Sequence, residues 1–118
     1  MNRTKIKNIL RPLVESILRE ASGVDEDAIR ELILYAENDR KMYDILHNTY
    51  VPALQKFIDK GTFREAGGIK LLQYYYTNYV RPGYKKEYGE DVRLNPASRA
   101  EFAKQILESL KDDEYITY

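Results

Sequence analysis

A chain of 118 residues, 43% hydrophobic and 32% charged, has the length and apolar content for one domain with a buried core. Its 19 Lys/Arg are balanced by 19 Asp/Glu, and zero net charge argues against a general nucleic-acid coat, which needs a basic excess. The absence of cysteine excludes disulfides, thiolate metal sites and thiol catalysis, and fits a reducing, intracellular setting.

The charge is unevenly placed. Residues 1–20 carry five Lys/Arg against two Glu, residues 21–47 carry seven Asp/Glu against three Lys/Arg, and residues 101–118 carry five acids against two lysines. Complementation between packed helices is the simplest reading of these blocks. No apolar run approaches the roughly 18 residues that cross a bilayer, and no signal peptide is expected at the basic N-terminus.

In chain order, almost everything reads as helix. Ile6, Ile9, Leu10, Leu13, Val14, Ile17 and Leu18 recur at spacings of three and four, one apolar helical stripe. Thr4 suits its N-cap and Gly23 its C-terminal end, and Pro12 falls on the polar face. Asp25 is placed to cap a second helix with the stripe Ala28, Ile29, Leu32, Ile33 and Ala36. Glu26 and Asp27 complement the positive end of its dipole.

Asn38 is the expected cap of a third helix, which carries Met42, Tyr43, Ile45, Leu46, Tyr50, Leu54, Phe57 and Ile58. Pro52 is expected to bend or split it near residues 49–51, and Lys60-Gly61 to close it. Thr62 is the expected start of a fourth helix, in which Gly67-Gly68 suggests the close approach of another backbone. Arg81-Pro82-Gly83 is expected to break or kink that helix ahead of Tyr84–Tyr88, and Gly89 to end it. Asn95-Pro96 is a start signal for a last helix burying Phe102, Ala103, Ile106, Leu107 and Leu110. Residues 112–118 are expected to fray.

The chemistry-bearing inventory is short. His47 is the only histidine and lies beside an aromatic stripe, where a packed histidine is commonest. The runs Asp25-Glu26-Asp27 and Asp112-Asp113-Glu114 read as a helix cap and a solvated tail, because neither has the alternation of a calcium loop. There is no phosphate-binding loop motif. No catalytic residue, cofactor or metal site is expected.

The segment from Leu71 to Tyr88 holds six of the eleven tyrosines. With about 100° per residue, Leu72, Tyr76, Tyr79 and Val80 fall on one face and Leu71, Tyr74, Tyr75 and Asn78 on the opposite one. A helix that is apolar on two sides is central in a bundle or meets a partner. Tyrosine suits interfaces, joining large rigid area to a hydroxyl that tolerates water. The candidate protein-binding residues are therefore Leu71, Tyr74, Tyr75, Asn78 and Tyr84, with Arg81, Lys85 and Lys86 at the rim. A nucleic-acid alternative would stack bases on Tyr74, Tyr75 and Tyr84 and place Arg81, Lys85 and Lys86 on phosphates, but Glu87, Glu90 and Asp91 follow at once.

From Asn38-Asp39 and Met42-Tyr43, through Val51-Pro52-Ala53-Leu54-Gln55-Lys56 and Lys60-Gly61-Thr62-Phe63, a familiar motif order unfolds. It continues with Ile69-Lys70-Leu71-Leu72-Gln73-Tyr74, Tyr84-Lys85-Lys86-Glu87-Tyr88-Gly89, Ser98-Arg99 and Asp113-Glu114-Tyr115. Over residues 35–116 this order resembles a family of small helical proteins encoded by tailed phages and plasmids. The chain departs from that pattern at Gly67-Gly68 and Arg81-Pro82-Gly83. The resemblance implies a mobile-element accessory protein and supplies no activity and no catalytic residues.

Together these readings give a single-domain, all-α irregular bundle of about five helices with kinked third and fourth helices. The expected function is a small non-enzymatic binding or assembly protein of phage or plasmid origin. It would have a protein partner or form a homo-oligomer, bind no membrane, and reside in the bacterial cytoplasm or a virion.

Overall fold

The computed structural model describes residues 23–117. The helix expected at residues 4–22, with Pro12, lies outside them. The described residues are all-helical, with no strand among them.

Helix α1 (Glu26–Asn38) starts where the Asp25 carboxylate accepts from the Ala28 N–H at 3.1 Å. It buries Ile29, Leu32, Tyr35 and Ala36. Its chain turns on Asp39, whose extended backbone ends α1 and whose carboxylate accepts from the Met42 N–H at 3.0 Å. The cap of the next helix is therefore Asp39 and not Asn38, which belongs to the last turn of α1.

Helix α2 (Arg40–Ile45) runs through a π-helical turn, Leu46–Tyr50, directly into α3 (Val51–Asp59). Helix α4 (Glu65–Tyr75) does the same through a second π-helical turn, Tyr76–Val80, into α5 (Arg81–Tyr88). In both, the residue before proline donates its N–H five residues back, Val51 to Leu46 and Arg81 to Tyr76. Proline lacks an N–H and its ring crowds the carbonyl four residues earlier. A widened turn accommodates both defects without ending the helix. Neither proline splits its helix, so four continuous helical rods are present among the described residues.

The α3–α4 connection is closed by Gly61, at φ 71°, whose N–H bonds the Ile58 carbonyl while the Thr62 N–H reaches Phe57. The Thr62 hydroxyl also donates to the Phe57 carbonyl at 3.3 Å. Thr62 thus finishes α3 instead of opening the next helix, and α4 begins three residues later, after Arg64. Helix α6 (Pro96–Asp112) opens as expected, with the Asn95 side chain accepting from the Ser98 N–H at 2.8 Å.

α6 is central, with α1 and α4 packed along it. Phe102, Ala103, Ile106, Leu107 and Leu110 are all buried. At its start the buried Ser98 hydroxyl donates to the Gly23 carbonyl and accepts from the Asp25 N–H, both at 2.9 Å, tying α6 to the entry of α1. The acidic segments 21–47 and 101–118 therefore meet each other through α1 and α6. The basic block 1–20, expected to complement them, lies outside the described residues.

The α5–α6 loop is pinned by the Tyr76 hydroxyl, which donates to the Val92 carbonyl and accepts from the Leu94 N–H, both at 2.8 Å. Residues 113–117, expected to fray, fold back on α3. The Gln55 amide brackets Thr117 with two hydrogen bonds of 2.9 Å, and Ile116 is buried.

Candidate functional site

Along α4 and α5 the buried positions are Gly68, Leu72, Tyr75, Tyr76, Val80 and Tyr84. This line divides the tyrosines differently from the ideal-helix reading. Tyr75, placed on the surface strip, is fully buried, and its hydroxyl donates to the Met42 carbonyl. Burial pushes the Tyr75 phenol well above its ordinary value. Tyr79, placed in the core, is 39% exposed. Two physical causes account for the exchange. The core line passes through Gly68, which has no side chain to announce it, and the π-helical turn keeps Val80 buried while turning Tyr79 outward.

Tyr84, placed among the binding residues, is also buried, edge-on to Tyr35 with ring centroids 5.5 Å apart. Arg81 is half-buried and forms a bidentate pair with Asp91, at 2.7 and 2.9 Å. That pair holds the Asp91 carboxyl below the usual carboxylate range. Asn78, Lys85 and Lys86 are exposed. The stacking surface needed for single-stranded nucleic acid thus shrinks to Tyr74, and one of its three cations is already engaged.

Leu71 and Tyr74 do come together in a site. They line an apolar groove of about 370 Å³ with Leu54, Phe57, Phe63 and the backbone of Gly67 and Gly68. α3 and its closing turn supply one wall, and the first turns of α4 supply the other. Phe57 and Tyr74 are about half exposed, at 48% and 51%. The glycine pair creates the space. A side chain at Gly67 would meet nothing within 4 Å, whereas one at Gly68 would press on the Phe63 ring at 3.1 Å and on Leu107. The close approach expected at the pair is therefore made at Gly68 only, and by side chains instead of a backbone.

Arg64 and Lys70 stand among the groove residues and give it a positive rim. Glu65, beside Arg64, is paired with Lys111 at 3.7 Å. Phe57 and Phe63 escaped the sequence reading of the site, Phe57 because it sits in the helical stripe and Phe63 because it follows a turn. The signal that could have found them is the Phe57/Phe63 spacing across Lys60-Gly61, which folds two aromatics onto one groove.

Among the described residues, no group of three or more His, Asp or Glu is placed to hold a metal ion, and no helix is long and apolar enough to cross a membrane. The fold and groove define the class: a small helical domain with an apolar, basic-rimmed surface groove. No family model, no curated protein and no solved structure matches the chain.

Proposed function

We propose that this chain is a small non-enzymatic binding or assembly protein, and that its groove takes the apolar face of an acidic amphipathic helix on a partner protein. The observation that carries the reading is the groove lined by Phe57, Phe63, Leu71 and Tyr74, with two half-exposed aromatic rings and Arg64 and Lys70 at its edge. Such grooves accept helices through residues at i, i+3 or i+4, and i+7, and rim charges set orientation and on-rate. The motif order along residues 35–116 supports a phage or plasmid origin, with action in the bacterial cytoplasm or a virion. We take Pro52 and Pro82 as bends in the two helical rods that contain them.

The test is selection of helical peptides from a displayed library of amphipathic sequences, against the wild-type protein and a Phe57→Ser/Tyr74→Ser variant. Both side chains are surface-facing, so the variant should keep its helicity and melting temperature. The reading expects enrichment of acid-flanked helices on wild type and loss of that enrichment on the variant. Equal enrichment on both proteins, or none on either, would sink it. A wild-type mass above monomer that the variant reduces to monomer would instead assign the groove to a second copy.

A further inference from the structure

A second cavity, of about 200 Å³, opens beside the C-terminal end of α6. It is lined by Ala36 and Glu37 from α1, Tyr43, Leu46 and His47 from α2 and the π-helical turn, and Ile106, Ser109, Leu110, Asp113 and Tyr115 from the end of α6 and the segment after it. Three features of its chemistry converge.

The first is aromatic. His47 stacks on Tyr43 with ring centroids 4.0 Å apart, and Tyr115 meets His47 edge-on at 4.3 Å. The Tyr43 and Tyr115 hydroxyls lie 3.4 Å apart, and both tyrosines remain more than a third exposed. Ring faces attract cations through their quadrupole, most effectively where water is partly excluded.

The second is electrostatic. α1 and α6 both deliver their C-terminal ends to the cavity, and helix C-termini carry partial negative charge. The last turn of α1 contains no basic residue to offset it, and Lys111, in the last turn of α6, is paired with Glu65 at 3.7 Å. Glu37 and Asp113 stand in the lining, and Asp44, next to it in sequence, is paired with Arg40 at 3.3 Å. The two acidic segments of the chain thus converge on one small space. Burial lowers the His47 pKa more than Asp44 raises it, which favours the uncharged imidazole beside these groups.

The third is the floor. Ala36, Leu46, Ile106 and Leu110 are buried aliphatic side chains that offer nothing to a hydrated ion. The carboxylates are not grouped for metal coordination. The volume lies below the roughly 300–1,000 Å³ of pockets for drug-sized ligands. A short alkyl chain ending in a positive charge matches all three features.

We propose that this cavity binds an organic ammonium group, with the charge among the Tyr43 and Tyr115 rings, Glu37 and Asp113, and the alkyl part on Leu46, Ile106 and Leu110. The group is either a free alkylamine or the side chain of a lysine on another protein. Protonation of His47 would put a competing positive charge in the same space. Binding therefore weakens on acidification; the ionisable groups around His47 are Glu37, Tyr43, Asp113 and Tyr115 in the lining and the Asp44–Arg40 pair beside it.

The experiment is an NMR titration of the full chain, following the amides of His47, Asp113 and Tyr115, with n-butylammonium, with a lysine-containing peptide, and with n-butanol as the neutral isostere. The expected result is a saturable shift with an ammonium probe and none with butanol. Tyr115→Leu should weaken it about fivefold, the loss of one ring–cation contact. Glu37→Gln with Asp113→Asn, surface changes that spare the core, should weaken it further. Tighter binding of the peptide than of butylammonium identifies a protein lysine as the source, and the reverse identifies a free amine. The proposal is overturned if butanol shifts the same amides equally, if neither ammonium probe saturates, or if the carboxylate double variant binds as wild type does.

Discussion

The Tyr75 hydroxyl donates to the Met42 carbonyl at 3.0 Å, joining α4 to α2 at the point where α2 passes into its π-helical turn. The same carbonyl accepts from the Leu46 N–H, so the tyrosine supports a backbone oxygen that the helix already uses. The Tyr75 ring is fully buried against Tyr50, with centroids 5.3 Å apart. Removing only the hydroxyl should cost about 1 kcal/mol, because Met42 keeps one donor. Truncating the whole ring should cost about 3–5 kcal/mol through the cavity it leaves. Urea unfolding of Tyr75→Phe and Tyr75→Ala checks this, and equal effects of the two changes would show that the hydroxyl and not the ring dominates. A test of the binding surface must accordingly leave Tyr75 intact and act on Tyr74.

Gly67 and Gly83 should respond in opposite directions to the same change. Gly67 faces open space on α4, so alanine there should stabilise by about 0.5–1 kcal/mol through helix propensity. At Gly83 on α5 an added Cβ would lie 2.5 Å from the Tyr35 hydroxyl and 3.0 Å from the end of Met42. Tyr35 is boxed in by Tyr84 and Tyr88, both edge-on to its ring. Overpacking should outweigh propensity, for a net loss of about 1–2 kcal/mol. Thermal melts of Gly67→Ala and Gly83→Ala suffice, and a stabilised Gly83→Ala would mean that Tyr35 moves aside freely.

Much of the fold was legible because local signals agree with packing. Asp25 and Asn95-Pro96 start helices by hydrogen bonds that any isolated segment would favour, and the Phe102–Leu110 stripe has the period of its helix. What misled the reading of the tyrosine segment was phase. A helical angle counted from Ile69 overlooks Gly68 in the buried line, which hid Tyr75, and cannot foresee the π-helical turn at 76–80, which turned Tyr79 outward. The groove was half legible. Leu71 and Tyr74 stood out as surplus apolar surface, while Phe57 and Phe63 reach the same space only through the turn between α3 and α4. The convergence of Tyr43, His47 and Tyr115 depends on a tail that folds back over a long sequence separation, for which no local pattern exists.

The Arg81–Asp91 pair makes a prediction about acid. Asp91 has a depressed pKa chiefly because the Arg81 guanidinium hydrogen-bonds its ionised form. A group depressed in the folded state contributes stability above its unfolded value, near 3.9, and that contribution disappears as pH falls through the lower folded value. Asp91→Asn should therefore melt below wild type at neutral pH, with the gap closing below about pH 4. Both side chains are about 30% exposed, so added salt should narrow the gap as well. A gap that stays constant from neutral to acid pH would show that Asp91 acts through loop geometry and not through its charge.

His47 titrates with the opposite starting point and the same direction of loss. Burial lowers its pKa below the ordinary 6.5, so the folded protein holds that proton less firmly than the unfolded chain does. Stability is then fully present above about pH 6.5 and falls as the pH drops toward the folded value, where the loss levels off. Asp44 works against this shift, so Asp44→Asn should lower the His47 pKa further and lengthen the sloping region. His47→Gln should remove the slope that begins below about pH 6.5 while leaving the Asp91 transition in place. Melting temperatures of the three proteins across that range, with the His47 ring protons followed by NMR, provide the check. An imidazole that titrates above its ordinary value would show that the carboxylates around the cavity outweigh burial, and the slope should then reverse.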